Sequence, residues 1–436
     1  MKVCKFGGTS MATAESIRQI ETIIQSDSQR KYVVVSAPGK RFKGDTKVTD
    51  LLYAANAEKE QFGIAGDSIE EIRERFVALA NELNLELDMD CYIDKVEEGI
   101  NCAKTADFAA SRGEYLAAIL LAEKLGYRFI DAADIIKFKV DGTFDADSTN
   151  DLVKELKSIA TGIVIPGFYG SLPDNTIKTF SRGGSDITGA IIARGVGATV
   201  YENWTDVNGF MITDPTIVKD SKQMEVLSYE ELRELSYMGA SVLHPDSIFP
   251  IKEDGIPINI RNTFEPENKG TLIIADTSEY PKASVVTGIA GRKGNTTISL
   301  KKAMMNSELG FGRRVLSVLE RYGISFEHMP TGIDTMSIVI TEKGLNGIEQ
   351  AVINDIKNKV APDNIEVIHS LALIAVVGHG MANQMGTAAK IFAALYEAGI
   401  NVRMIDQGSS EMNIIIGVEE KDYENAIKAI YYAFFG

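Results

Sequence analysis

The sequence predicts an α/β protein: a three-layer domain on a mostly parallel central sheet, followed by two small, ferredoxin-like βαββαβ units. Three observations carry this reading. Up to about Ala275, short apolar strands alternate with helical stretches, the pattern of a parallel sheet covered on both faces. Two Gly-Gly runs, Gly7-Gly8 and Gly183-Gly184, each follow a strand and open toward a helix. Further on the chain repeats itself, residues 309–340 aligning without gaps to 385–416.

Met1, Val3 and Cys4 open the first strand, which runs into Lys5-Phe6-Gly7-Gly8-Thr9-Ser10. The glycines free the backbone to turn with φ > 0, and a helix over Ala14 to Ser26 follows, so open N–H groups should ring the turn. Lys5 puts a positive charge at the edge of that cradle, which suits a nucleotide phosphate. The same run also reads as a plain strand-turn-helix with a surface lysine.

Tyr32 to Ser36 is a buried strand, Val48 to Glu60 a helix, and Asp67 to Lys104 a more polar helical insertion. Phe108 to Leu125 forms an amphipathic helix stopped by Gly126. Gly162 to Pro166 is a second buried strand, ahead of the loop Gly167-Phe168-Tyr169-Gly170. A strand over Thr176 to Phe180 leads into Ser181-Arg182-Gly183-Gly184-Ser185-Asp186 and a helix from Gly184 to Arg194. Strands over Ala198 to Asn203, Pro257 to Arg261 and Thr271 to Ala275 complete the domain.

Within the repeat Gly310 matches Gly386, Leu319 matches Leu395, and Gly323-Ile324 matches Gly399-Ile400. Gly332 matches Gly408, and Met336 to Ile340 matches Met412 to Ile416. Each copy reads as strand, glycine turn, helix, strand, hairpin, strand, helix. The expected domains are 1–282, 283–372 and 373–436, divided near Glu279 to Ala283, and the last can share a strand from 283–300.

A net charge of −16 argues against a nucleic-acid or anionic-membrane partner. No apolar run reaches the ~18 residues of a membrane helix, and the chain opens on a strand rather than a signal peptide. Cys4, Cys91 and Cys102 lack metal spacing and read as free thiols of a reducing cytoplasm. His244, His328, His369 and His379 show no metal grouping, so no protein-held metal is expected.

Arg182 before a Gly-Gly turn suits a planar anion such as a carboxylate. Asp186, in the first helical turn, either complements the helix dipole or orients a lysine. Gly113 within a helix costs about 1 kcal/mol, so something should approach the backbone there. Glu114 is then a candidate for a ligand ammonium, or else a solvated helix charge. Thr205 and Asp206 follow a strand end, where ligands of open parallel sheets sit, and Trp204 beside them reads first as core. No Ser/His/Asp set or histidine base accompanies these runs. Phosphorylating a hydroxyl needs a base, whereas a carboxylate is already ionised and needs only cations and positioning.

KFGGTS at the start, SRGGSD, WTDV, Thr213-Asp214-Pro215, Val242-Leu243-His244-Pro245 and the C-terminal repeats resemble the aspartate kinase family, in order and over the whole chain. The resemblance implies an amino-acid-kinase domain with two ACT domains, making 4-phospho-L-aspartate from aspartate and ATP with Mg2+, the first step toward lysine, threonine and methionine. Lys5 and Asp186 resemble the catalytic pair. Ser36, Thr49, Glu114, Phe168, Arg182 and Ser185 resemble the aspartate pocket. Lys5, Gly7, Gly8, Thr205, Asp206, Met211, Thr216, Ser241 and Val242 fall at nucleotide positions. Thr216 and Ser241 stand where the family commonly has arginine and lysine, so two nucleotide-side cations are absent, and Lys219 or Lys222 could substitute.

Met305, Ser307, Gly310, Phe311 and Gly312, with the acids Glu327 and Asp334, are effector candidates, Met305 and Phe311 reading equally as core. Lysine is expected ahead of threonine, on a homodimer or dimer of dimers, and no fused homoserine dehydrogenase is expected. A catalytically weak amino-acid sensor, or another acyl kinase of the same fold, is the alternative reading.

Overall fold

The computed structural model describes residues 1–436 except Lys104, Arg182, Ser241, His244, Pro281, Lys282, Ala283 and Asn383. The chain divides into two compact units. One comprises Met1–Phe210, Gln223–Leu232 and Ser241–Tyr280; the other comprises Met211–Lys222, Arg233–Ala240 and Pro281–Gly436.

The first unit carries β1 (Lys2–Phe6), β2 (Arg30–Val35), β3 (Arg128–Phe129), β4 (Ile163–Pro166), β5 (Tyr169–Ser171), β6 (Ile177–Thr179), β7 (Val200–Thr205), β8 (Val226–Ser228), β9 (Ile258–Asn262) and β10 (Thr271–Ile274). Eight of them form one sheet in the order β3-β4-β2-β1-β7-β9-β10-β8. Neighbours run parallel except β9 and β10. The strand expected over Thr176 to Phe180 is not part of this sheet. It pairs with β5 as a separate antiparallel hairpin, with Phe180 donating its amide to Phe168 O. The polar insertion is two helices, Asp67–Glu82 and Met89–Cys102.

Alternation along β1 sends Cys4 and Phe6 to one face and Lys5 to the other. Beside it β7 runs in register, with Lys5 opposite Asn203 and Phe6 opposite Trp204. On the Cys4 face, Phe6, Val33, Val35 and Trp204 join Ile17, Ile20, Leu116 and Leu120 in one core beneath the helices Ala14–Gln25 and Ala106–Leu125. Glu202, buried in that face, accepts hydrogen bonds from Arg30 Nε (2.8 Å), Trp204 Nε1 (3.0 Å) and Lys2 Nζ (3.1 Å). The guanidinium groups of Arg30 and Arg261 lie 5.2 Å and 4.6 Å from the Trp204 ring centroid, so Trp204 is core. The helix Gly184–Val196 packs over β1 and β7 and meets Lys5 on the opposite face.

The second unit carries β11 (Gly288–Lys301), β12 (Thr335–Thr341), β13 (Asn364–Val377), β14 (Met404–Asp406) and β15 (Asn413–Glu419), antiparallel in the order β12-β11-β13-β15-β14. Both repeats share this sheet. Asn295–Lys301 of β11 pairs with β12, whereas Gly288–Arg292 pairs with Leu373–Val377 of β13, which also pairs with β15. The strand expected after Gly323-Ile324 shrinks to isolated bridges at His328 and Thr331, because Pro330 between them has no N–H to donate.

Two earlier segments belong to this unit. Ile289 donates its amide to Ile212 O (2.7 Å), Lys222 N donates to Tyr431 Oη (3.0 Å), and Tyr432 Oη donates to Asp220 Oδ1 (2.9 Å). Asn413 Nδ2 donates to Glu234 Oε2 (2.6 Å). Among the described residues no helix is long and apolar enough to cross a membrane.

Candidate active site

Lys5 is buried near the carboxyl end of β1, and its Nζ lies 2.7 Å from Asp186 Oδ1. The turn before the helix passes through Gly183 at φ 58°, which places Asp186 in the first helical turn, aimed at the strand. Asp186 thus stands at the helix N-terminus and beside the lysine at once. The same Oδ1 accepts Asn203 Nδ2 at 2.9 Å, a partner the sequence reading missed.

The Gly7-Gly8 turn differs from expectation. Gly8 has φ −61° and ψ −36°, so neither glycine is needed there for a left-handed backbone. Gly8 is needed for close approach, since a Cβ on it would lie 2.9 Å from Ala37 O, whereas one on Gly7 would make an ordinary contact 3.5 Å from Trp204 O. The helix does not begin at this turn either. A 3-10 turn, Thr9–Met11, intervenes, and Thr13 and Ser16 cap the helix between themselves (Ser16 N to Thr13 Oγ1, 3.2 Å). At the end of β7, Asp206 accepts Thr9 Oγ1 (2.9 Å) and Thr205 Oγ1 (3.2 Å).

A cleft of about 400 Å³ brings Gly8, Ser36, Thr49 and Glu114 together, with Lys40 and Lys47 at its wall. These two lysines carried no recognisable motif in the sequence. The loop around them is pinned by Asp45, which accepts Arg41 N (2.8 Å) and Arg41 Nε (2.9 Å) and lies 3.6 Å from Arg75 Nη1. These hydrogen bonds from Arg41, with the charges of Arg41 and Arg75, hold the Asp45 carboxyl well below its ordinary range. Glu114 is buried, and its Oε2 has no hydrogen-bond partner. Burial pushes its pKa up to about 8, against the pull of the Ala37 amide and the charges of Arg112 and Lys5. Such a carboxyl is kept short of a cation.

Arg112 is stacked among Phe108, Tyr115 and Tyr169, 4.6 to 5.0 Å from their ring centroids. Phe168 takes φ 79° and donates its amide to Thr188 Oγ1 (3.1 Å). It lines a different hollow, of about 460 Å³, together with Tyr53, Lys178, Phe180 and Ser181. Ser185 is buried against Gly167, whose Cβ would meet it at 2.7 Å. Arg182 and Ser241 lie outside the described residues. Val242 is half-buried in the first unit.

Met211 and Thr216 belong to the second unit. Thr216 is exposed and turns on Asp214, whose Oδ1 accepts its amide (2.8 Å) and hydroxyl (2.7 Å). Lys222 is committed elsewhere, donating to Phe435 O (2.9 Å) at the end of the last helix. Met305 and Phe311 are in the core of the first repeat, so their side chains are not free to line a pocket. Gly310 turns at φ 74° ahead of the helix Phe311–Arg321, which also holds Gly312, and Ser307 Oγ donates to Met304 O (2.8 Å). Asp334 Oδ1 accepts Met304 N (2.8 Å). Glu327 is ion-paired to Arg292 and accepts the Tyr237 hydroxyl.

Residues 1–262 match the amino acid kinase family, and residues 374–434 match an ACT domain. The sequence is 38% identical to aspartokinase 3 of Bacillus subtilis over 456 residues, covering 100% of this chain and 99% of that protein. It is 50% identical to the crystal structure of Clostridium acetobutylicum aspartate kinase, with a TM-score of 0.94 and full coverage of both chains. E. coli aspartokinase III, solved with aspartate and ADP, is 25% identical with a TM-score of 0.77, again over 100% of both chains. The same enzyme solved with lysine and aspartate has a TM-score of 0.75 at 25% identity.

Proposed function

The chain belongs to the aspartate kinase family, and on that premise we propose how its own residues move the γ-phosphoryl group of ATP onto the β-carboxylate of L-aspartate. The enzyme is an ATP-dependent aspartate kinase, forming 4-phospho-L-aspartate. The observation that carries the assignment of roles is the buried Lys5–Asp186 pair, 2.7 Å apart.

Lys5 turns from Asp186 toward the phosphoryl oxygens as charge spreads over them, beside the close-packed backbone of Gly7 and Gly8. Asp186 holds the lysine in place between turnovers. Glu114 takes the aspartate ammonium, which supplies the cation its buried carboxyl is kept short of. Arg182 takes the α-carboxylate, and Ser36, Thr49 and Ser185 offer hydroxyls. A zwitterion held by one fixed cation and one fixed anion leaves its β-carboxylate free to face the γ-phosphate. That carboxylate is ionised at neutral pH, so no base is required.

Thr205 and Asp206, with Met211, Thr216, Ser241 and Val242, serve the nucleotide. Mg2+ would arrive on the ATP phosphates and would there neutralise developing phosphate charge. The amide turn Gly310–Gly312 receives an effector's carboxylate, with Ser307 beside it. Glu327 and Asp334 favour lysine over threonine, lysine's ammonium exchanging with Arg292 for Glu327. The active form is a cytoplasmic homodimer or dimer of dimers, in which residues 283–372 and 373–436 act as the regulatory pair and 1–282 as the kinase.

The direct test traps the product with hydroxylamine, using ATP, Mg2+ and aspartate, glutamate or acetylglutamate in turn. Aspartyl hydroxamate alone is the expected product. Another acyl hydroxamate would move the enzyme to a different acyl kinase, and none at all would leave an amino-acid sensor.

A further inference from the structure

We propose that Asn203 is a positioning residue for phosphoryl transfer: it shares Asp186 Oδ1 with Lys5 and so keeps the lysine both aimed and releasable. The inference rests on the reading of Lys5 and Asp186 as the catalytic pair.

Asn203 is 3% exposed and sits opposite Lys5 in the β1/β7 register. Its Nδ2 lies 2.9 Å from Asp186 Oδ1, while Lys5 Nζ lies 2.7 Å from the same atom. The amide must present its nitrogen here, since its oxygen would face a carboxylate. Two residues earlier on β7, Tyr201 donates its hydroxyl to the Asp186 backbone carbonyl (3.1 Å) and lies 3.4 Å from Asn203 Nδ2. Gly189 makes room for that ring, since a Cβ there would lie 2.5 Å from the hydroxyl. Asp186 is thus fixed at its carbonyl by Tyr201 and at its carboxylate by Asn203.

The consequence concerns the lysine. A buried ammonium facing a carboxylate with no other donor would be held tightly, and swinging it to a phosphate would leave a bare buried anion. A second, neutral donor on the same oxygen changes both terms. It competes with Lys5 in the resting state and remains to satisfy Asp186 when Lys5 leaves. An amide does this without titrating. An apolar residue would lose the donor, and a carboxylate would replace it with repulsion.

The titratable groups that face Asn203 are Lys5 of β1, Asp186 of the covering helix and Tyr201 of its own strand; Glu202 points to the other face. In Asn203→Asp a second carboxyl therefore stands beside Asp186. While protonated it donates as the amide did; once ionised it repels Asp186 and attracts Lys5.

Steady-state rates of wild type, Asn203→Leu and Asn203→Asp would be measured from pH 6 to 9, with thermal melts as a check on folding. Asn203→Leu should lower kcat about tenfold or more, the scale of one hydrogen bond to a charged group, with KM for ATP and aspartate little changed. The rate ratio of Asn203→Asp to wild type should rise as pH falls. Ratios to wild type remove the separate titration of Glu114. A flat ratio overturns the proposal, and so does a kcat within twofold of wild type in a folded Asn203→Leu. Lys5→Ala and Asp186→Ala separate the two levels: if both retain full rate, the catalytic pair itself is misassigned, whereas if both are slow and Asn203→Leu is not, only the positioning role falls.

Discussion

Gly113 and Ala37 meet so closely that a Cβ added to the glycine would lie 2.7 Å from the Ala37 Cβ, and 3.2 Å from Val48 Cγ1. The contact locks the helix bearing Glu114 against the Ser36–Thr49 loop that forms the rest of the cleft. Gly113→Ala should therefore destabilise the protein by about 1–3 kcal/mol, as overpacking does, although alanine is the better helix former. Aspartate KM should rise more than ATP KM. A higher melting temperature with unchanged aspartate KM would show that the contact is slack.

Lys5→Ala should lower kcat on the order of 10²-fold or more, as for loss of a main transition-state charge contact. Arg182→Ala should chiefly damage aspartate use and leave ATP binding nearly intact. A near-normal aspartate KM and kcat in Arg182→Ala would remove it from the pocket. Single-substrate titrations of both variants separate the two effects.

Glu114 makes the free enzyme sensitive to pH. Its carboxyl titrates near 4.5 when exposed and at about 8 when buried here. Between those values the folded state holds a proton the unfolded state has released, so Glu114 lowers stability progressively as pH rises from about 4.5 to about 8. Glu114→Gln should flatten that part of the stability profile. Activity runs the other way, because Glu114 must ionise to hold an ammonium. Aspartate kcat/KM should climb toward pH 8, and kcat should plateau at lower pH once bound substrate stabilises the anion. Identical profiles for kcat and kcat/KM would count against the assignment.

The family resemblance implies cations at the positions of Thr216 and Ser241, and Lys222 is held at Phe435 O. The double variant Thr216→Arg/Ser241→Lys should therefore lower ATP KM. An unchanged or higher ATP KM would mean that other groups already supply the charge, Lys40 and Lys47 at the cleft wall being the first to examine.

Glu327 faces Arg292 in the resting chain, so an effector ammonium must compete for it. Glu327→Gln should weaken lysine inhibition by a factor within the usual 5–150-fold range of coupling, measured by titrating activity with lysine and with threonine. Equal lysine sensitivity in both proteins would exclude Glu327 from the site. Inhibition by threonine alone would overturn the choice of effector.

The parts of the site legible in the sequence were those whose residue types are costly elsewhere. Gly113 stood out because glycine weakens a helix, and Gly183 because its turn needs φ > 0. Lys5 and Asp186 were found through the runs around them. What stayed hidden depends on register and packing. Asn203 meets Asp186 only because β7 lies beside β1 with Lys5 opposite, a pairing that linear order does not contain. The conformation of Gly8 was misread because its constraint is the distant carbonyl of Ala37, not its own φ. Lys222 was a free cation on paper until the last helix turned its final carbonyls toward it. The repeat was legible from its gapless alignment, yet the partition of β11 between both copies was not.

That partition orders events on the ribosome. Gly288–Arg292 of β11 emerges long before Leu373–Val377, the strand it pairs with, and Ile212 emerges earlier still than Ile289. A nascent chain at residue 360 has its first repeat's β11–β12 pairing available while Gly288–Arg292 still lack the strand they pair with. The sheet of the second unit thus completes only after Asn413–Glu419 has been made. Until then an edge of that sheet is open to mispairing, as an unpaired strand edge is.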